Sequence, residues 1–139
     1  MPARPAFHWK RRIVKLCLVV DDSSVIRKVA KALLNSIGYE VIEAETGQDA
    51  IDACNRQMPH AIMIDWDLAD MSGFDFLVEF NRQFAGSKPH IVYATTENDP
   101  IDISRAIKAG ADEFLMVPFN RESLEAKFSH AAMASQPAS

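Results

Sequence analysis

The chain carries 139 residues, two cysteines and a net charge of -4, from 15 Lys and Arg against 19 Asp and Glu. This length suits one domain whose core needs no disulfide or structural metal, and the acidic balance excludes nucleic-acid binding through general basicity, which requires clustered Lys and Arg. No apolar stretch is long enough to span a membrane, and Cys17 and Cys54 sit in apolar patterns without metal-ligand spacing, so a reducing, cytoplasmic location is expected.

Residues 1–12, MPARPAFHWKRR, gather Arg4, Lys10, Arg11 and Arg12 and contain no apolar signal-peptide core. They read as a flexible basic arm ahead of a domain at 13–134, with 135–139 as a disordered tail. Interleaved aromatic and basic residues keep a partner-binding or nucleic-acid-binding arm as the alternative.

From Ile13 to Val20 the sequence is nearly continuous in apolar residues, as a central parallel strand covered on both faces requires, and it stops at Asp21 and Asp22. Ile26, Val29, Ala30, Leu33, Leu34 and Ile37 then recur at helical spacing until Gly38. Tyr39 to Ala44 reads as a short strand near a sheet edge. Thr46 and Asp49 resemble a capping box ahead of the stripe Ala50, Ile51, Cys54 and Met58, which Pro59 ends. Ala61 to Ile64 is a buried strand that delivers Asp65 at its C-terminal end, with Asp67 and Asp70 in the turn-rich stretch beyond. Ser72 and Gly73 open a third helix on which Phe74, Leu77, Val78 and Phe84 face a core. Ile91 to Ala94 is the fourth strand, ending at Thr95, Thr96 and Glu97. Asp99 as N-cap and Pro100 at the first helical position open a fourth helix, which Gly110 closes. Phe114 to Val117 is the fifth strand, and Asn120 caps a last helix with Leu124 and Phe128 on its apolar side. Five strand and helix pairs with short connections predict an α/β fold, a right-handed, doubly wound parallel sheet.

In such a sheet ligands bind beyond the carboxyl ends of the strands, and in the flavodoxin-like order 2-1-3-4-5 strands one and three are neighbours at the switch point. Asp21, Asp22, Asp65 and Thr95 then converge. Taken singly, Asp22 reads as an N-cap, Asp67 and Asp70 as turn residues, and Thr95 as a strand-end hydroxyl bonded to local backbone. Their conjunction points to chemistry instead. At about 4 Å and an effective dielectric of about 20, each pair of carboxylates costs on the order of 4 kcal/mol, so a cation belongs among them. A hard, oxygen-seeking Mg²⁺ meets that need, and beside it Asp65 is the candidate nucleophile toward a phosphoryl group, with Thr95 donating its hydroxyl to a phosphoryl oxygen.

The stretches LVVDDSSVIRK, IDWDLADMSGFDFL, ATTE and AGADEFLMVPF, in that order, resemble the receiver domain of bacterial response regulators, most closely the stand-alone chemotaxis (CheY) type. The chemotaxis receiver is itself a standing example of the strand order invoked above. The resemblance spans about Ile13 to Ala132. It implies that Asp65 accepts phosphate from a histidine kinase or phosphotransfer protein. It further implies that Asp22, Asp65 and the backbone carbonyl of Asp67 bind Mg²⁺, with Asp21 reaching the ion through water. Thr95 would shift toward the phosphoryl group, and Phe114 would take the place of the aromatic switch residue behind it. Asp67 and Glu97 match the pair that tunes autodephosphorylation.

Two departures stand out. Family members carry Lys before the proline of the fifth strand, where this chain has Val117, so part of the clamp on the phosphoryl group is missing. Lys88, Lys108 and Arg121 lack the spacing to replace it. Ala69 also stands where the turn after the third strand usually has proline, which loosens that turn.

The function expected is that of a single-domain response regulator, not an enzyme, with no nucleic-acid or membrane partner. Its signal would pass to a downstream protein through Phe114 and the face of helix four, strand five and helix five. Val117 motivates an alternative, a receiver that binds its partner without phosphate. Asp65-Trp66-Asp67 also fits the DxD of haloacid-dehalogenase-type phosphatases, but there the motif follows the first strand.

Overall fold

Alternation of side chains along the strands sorts the apolar residues into two separate layers, and this sorting fixes where each helix packs. The computed structural model describes residues 14–96 and 99–134. Strands and helices alternate strictly: β1 (Lys15–Val20), α1 (Ser24–Ser36), β2 (Tyr39–Ala44), α2 (Gly47–Arg56), β3 (Ala61–Asp65), α3 (Gly73–Gln83), β4 (His90–Thr95), α4 (Pro100–Lys108), β5 (Glu113–Met116) and α5 (Arg121–Ala134). All neighbouring strands are parallel, in the order β2-β1-β3-β4-β5. The expected doubly wound sheet is therefore the observed one.

Leu18, Val20, Ile62, Ile64, Ile91 and Tyr93 face one layer, closed by Ala50, Ile51 and Cys54 of α2, Phe76, Leu77 and Phe80 of α3, and Ala106 of α4. Cys17, Val19, Ala61, Met63, Val92, Ala94 and Leu115 face the other, under Ala30 and Leu34 of α1 and Leu124 and Phe128 of α5. Both cysteines are buried, free thiols. Thr46 and Asp99 cap α2 and α4 as the sequence indicates, and Asn120 Oδ1 accepts from the Ser123 N–H at the start of α5. Gly38 and Gly110, with φ of 98° and 120°, end α1 and α4 in the left-handed region. Among the described residues no helix is long and apolar enough to cross a membrane.

Three expectations are corrected. β5 runs Glu113–Met116, so Val117 lies one residue past its end. Val29 is exposed on α1. On α3 the inward residues are Phe76, Leu77 and Phe80, whereas Val78 is 49% exposed and Phe74 only half-buried. The cause is Gly73, where a Cβ would come within 2.5 Å of the Asp65 carbonyl oxygen. That close approach sets the rotation of the helix, so positions three, four and seven residues on point to the sheet while Phe74 turns aside. Its ring lies under the Arg105 guanidinium, 4.2 Å from the centroid. Phe80→Ala should accordingly cost about 3–5 kcal/mol in urea denaturation, and Val78→Ala less than about 0.5 kcal/mol. Similar losses at the two positions would contradict this helix face.

The residues 1–13, Glu97 and Asn98, and 135–139 lie outside the described residues. The expectations for the basic arm, the tail and Glu97 fall there.

Candidate functional site

Val20 of β1 pairs with Ile64 of β3, so the residues that follow each strand are delivered to the same place. One carboxylate oxygen from each of Asp21, Asp22 and Asp65 lies within 4.8 Å of the others. Asp21 is buried, Asp65 half-buried and Asp22 exposed. The Asp21 carboxylate accepts from the Ser23 N–H at 2.8 Å, and Ser23 Oγ in turn caps α1 by accepting from the Ile26 N–H. The cap is thus Ser23, and the Asp22 carboxylate is not used there.

This geometry is costly without a cation. Burial first, then the charges of Asp21 and Asp22, push the Asp65 carboxyl from its ordinary 3.8 up to about 7, against a hydrogen bond from the Asp67 N–H. Asp21 is raised as well, mainly by burial. Among the described residues Arg27, which the sequence reading overlooked, stands beside Asp21. Its Nη1 donates to the Asp21 carbonyl at 2.7 Å and its Nε pairs with Glu43 at 2.9 Å, so its hydrogen bonds go to the rim. Three hard oxygen donors with excess negative charge fit a divalent cation of the Mg²⁺ kind.

Thr95 ends β4, one residue beyond the partner of Asp65, and is fully buried. Its carbonyl accepts from the Val117 N–H at 2.9 Å. The Val117 side chain packs against the core layer under α1 and α5 and supplies the site with no polar atom. The cations considered as substitutes are placed elsewhere: Arg121 pairs with Glu125, Lys108 is exposed at the end of α4, and Lys88 lines a groove of about 580 Å³ beside the N-terminal ends of β3 and β4.

The loop from Trp66 to Ser72 is closed by several bonds. Trp66 N–H donates to the Ala94 carbonyl, Leu68 N–H to the Met71 carbonyl and Gly73 N–H to the Trp66 carbonyl. Asp67 is exposed and bridges to Ser72, while Asp70 accepts from the Gly47 and Gln48 N–H groups at 2.8 and 3.0 Å. Burial, which raises the Asp70 carboxyl, is outweighed by these two bonds and a third from its own N–H, and the group lies below its ordinary range. Asp70 is therefore more than a turn residue. Another contact the sequence did not announce is that of the buried Tyr93, whose hydroxyl donates to Asp102 of α4 at 3.3 Å.

The sequence profile of the response regulator receiver domain matches residues 17–129. The chain belongs to this family. The receiver is 33% identical to the chemotaxis protein CheY1 of Helicobacter pylori over 79% of this chain and 90% of that protein. It is 31% identical to the CheY homologue of Campylobacter jejuni, over 79% of this chain and 86% of the relative. Among solved structures it superposes on CheY4 of Vibrio cholerae with a TM-score of 0.80 at 29% identity, covering 86% of this chain and 99% of that one. Receivers are signalling proteins that work with histidine kinases and downstream targets.

The raised Asp65 group has a measurable consequence. Between about pH 4 and pH 7 the folded protein holds a proton at Asp65 that the unfolded chain has released, so stability falls as pH rises through that window. Thermal midpoints in EDTA should therefore drop from pH 4.5 to pH 8 more steeply in the wild type than in Asp65→Asn. Parallel pH profiles for the two proteins would contradict the assignment.

Proposed function

We propose that this receiver accepts a phosphoryl group on Asp65 and passes the signal on by protein contact. The observation that carries the reading is the set of three carboxylates within 4.8 Å at the switch point between β1 and β3. A phosphohistidine of a histidine kinase or phosphotransfer protein supplies the group. An Asp65 carboxylate oxygen attacks phosphorus as the P–N bond to imidazole breaks, and the imidazole leaves with a proton from its surroundings. Mg²⁺, when bound, neutralises charge on the phosphoryl oxygens and on the carboxylates. Asp22, Asp65 and the Asp67 carbonyl would hold it directly, and Asp21 through water. Thr95 donates its hydroxyl to a phosphoryl oxygen, and the side chains of Asp67 and Glu97 act on the water that later removes the group.

The output face assigned by this reading comprises α4, β5 and α5. Ile101, Phe114 and Met116 are all exposed there, at 71%, 37% and 39%. Phe114, in the place of the switch aromatic, has the Lys127 ammonium 5.4 Å from its ring centroid. Lys127 also pairs with Glu113 at 3.3 Å.

Val117 favours a second reading, a receiver that binds its partner without phosphate. A side chain packed in the apolar layer leaves the phosphoryl group without the family's ammonium, which weakens coupling from Asp65 to Thr95 and Phe114. Phosphatase chemistry through Asp65 and Asp67 has less support, since the motif follows β3 and not the first strand.

Phos-tag electrophoresis after acetyl phosphate and Mg²⁺ separates the readings. The expected outcome is a shifted band for wild type, none for Asp65→Asn, and a shift retained in Val117→Lys. No shift in wild type with a shift in Val117→Lys would favour the phosphate-independent module.

A further inference from the structure

We infer that Asp70 is a positioning residue for the phosphoryl-transfer site, doing in this chain what the missing turn proline does elsewhere. The inference rests on the reading of Asp65, Asp67 and Mg²⁺ given above. The loop from Trp66 to Ser72 carries Asp67, whose backbone carbonyl is a metal ligand in that reading, and the place of a carbonyl is set by the backbone on either side of it. Ala69 leaves that backbone freer than proline would.

Asp70 removes the freedom from outside the loop. Its two carboxylate oxygens accept separately from Gly47 and Gln48, the first two N–H groups of α2. A bidentate carboxylate at a helix N-terminus is held by charge-assisted hydrogen bonds and by the helix dipole together. The neighbouring Met71 reinforces the junction. Its side chain packs against Gly47, in the space a Cβ there would share. Leu68, buried in the layer under α2 and α3, holds the other side of the loop. The loop is thus fastened at Leu68, Asp70 and Met71, and Asp67 is the exposed residue at its start.

Thr46 caps α2 through the Asp49 N–H alone, and Asp70 supplies the acceptors for the two N–H groups before it. Its bonds cross from one βα loop to another, 22 and 23 residues apart in sequence. Groups that orient metal ligands typically change affinity by about 10- to 100-fold when removed, and Asp70, acting through the backbone, belongs at the lower end.

The test uses the full chain with Trp9→Phe, which leaves Trp66, adjacent to Asp65, as the sole tryptophan fluorophore. Titration with MgCl₂ would be followed by Trp66 fluorescence, and amide exchange at Gly47 and Gln48 by NMR. Asp70→Ala should weaken Mg²⁺ binding about tenfold and speed exchange at both amides. Asp70→Asn, which keeps one acceptor oxygen, should lie between. Ala69→Pro added to Asp70→Ala should restore most of the Mg²⁺ affinity without restoring the amide protection, an effect that a merely structural role would not produce. Mg²⁺ binding by Asp70→Ala within twofold of the parent would overturn the proposal, as would a loss that neither Asn nor Pro repairs. A parent chain that shows protected Gly47 and Gln48 amides and no Mg²⁺ response would overturn the reading of the site, and this proposal with it.

Discussion

Three carboxylates held against one another at the end of a parallel sheet are the constraint around which this receiver is arranged. Their repulsion is not incidental, because β1 and β3 are adjacent and end together, which brings the backbones of Asp21, Asp22 and Asp65 to one place. Burial of Asp21 and partial burial of Asp65 make the repulsion stronger than it would be in water. Apolar packing on both faces of the sheet provides the opposing stability. A fold that keeps like charges together fits a divalent cation, and in the proposed function a phosphoryl group stands beside it.

The elements around the cluster have separate tasks. Arg27 ties the Asp21 carbonyl to Glu43 and so braces the start of α1 against β2. Gly73 lets α3 begin directly over the Asp65 carbonyl, and the same close approach decides which phenylalanines of α3 enter the core. Asp70 and Met71 bind the loop after β3 to the start of α2. Val117 extends the apolar layer up to the edge of the site, where the family has an ammonium. In the proposed function that leaves more of the charge in the crevice to the metal.

Most of the architecture was legible because it rests on local patterns. The Val-rich run ending at Asp21, the caps Thr46 and Asp99, and the glycines at 38 and 110 mark the alternating strands and helices, and the crossover rule makes them a doubly wound parallel sheet, while the order of the strands came with the flavodoxin-like resemblance. The inward face of α3 was misread because Phe74, Phe76, Phe80 and Phe84 offer two competing stripes, and the choice depends on a tertiary contact of Gly73. The acidic site was legible in its members, while Asp22 as a cap was a fair reading until Ser23 took that place. Asp70 with α2, Arg27 with the Asp21 carbonyl and Tyr93 with Asp102 were not legible. Each joins one element or loop to another, or a side chain to a backbone atom, and no periodicity records such bonds.

A ¹³C NMR titration of the Asp65 side-chain carboxyl reads the charge at the centre of this cluster. In EDTA the midpoint should lie near 7, well above the ordinary 3.8, and with Mg²⁺ it should be displaced down toward the ordinary range. An ordinary midpoint in EDTA, or one that Mg²⁺ does not move, would contradict it.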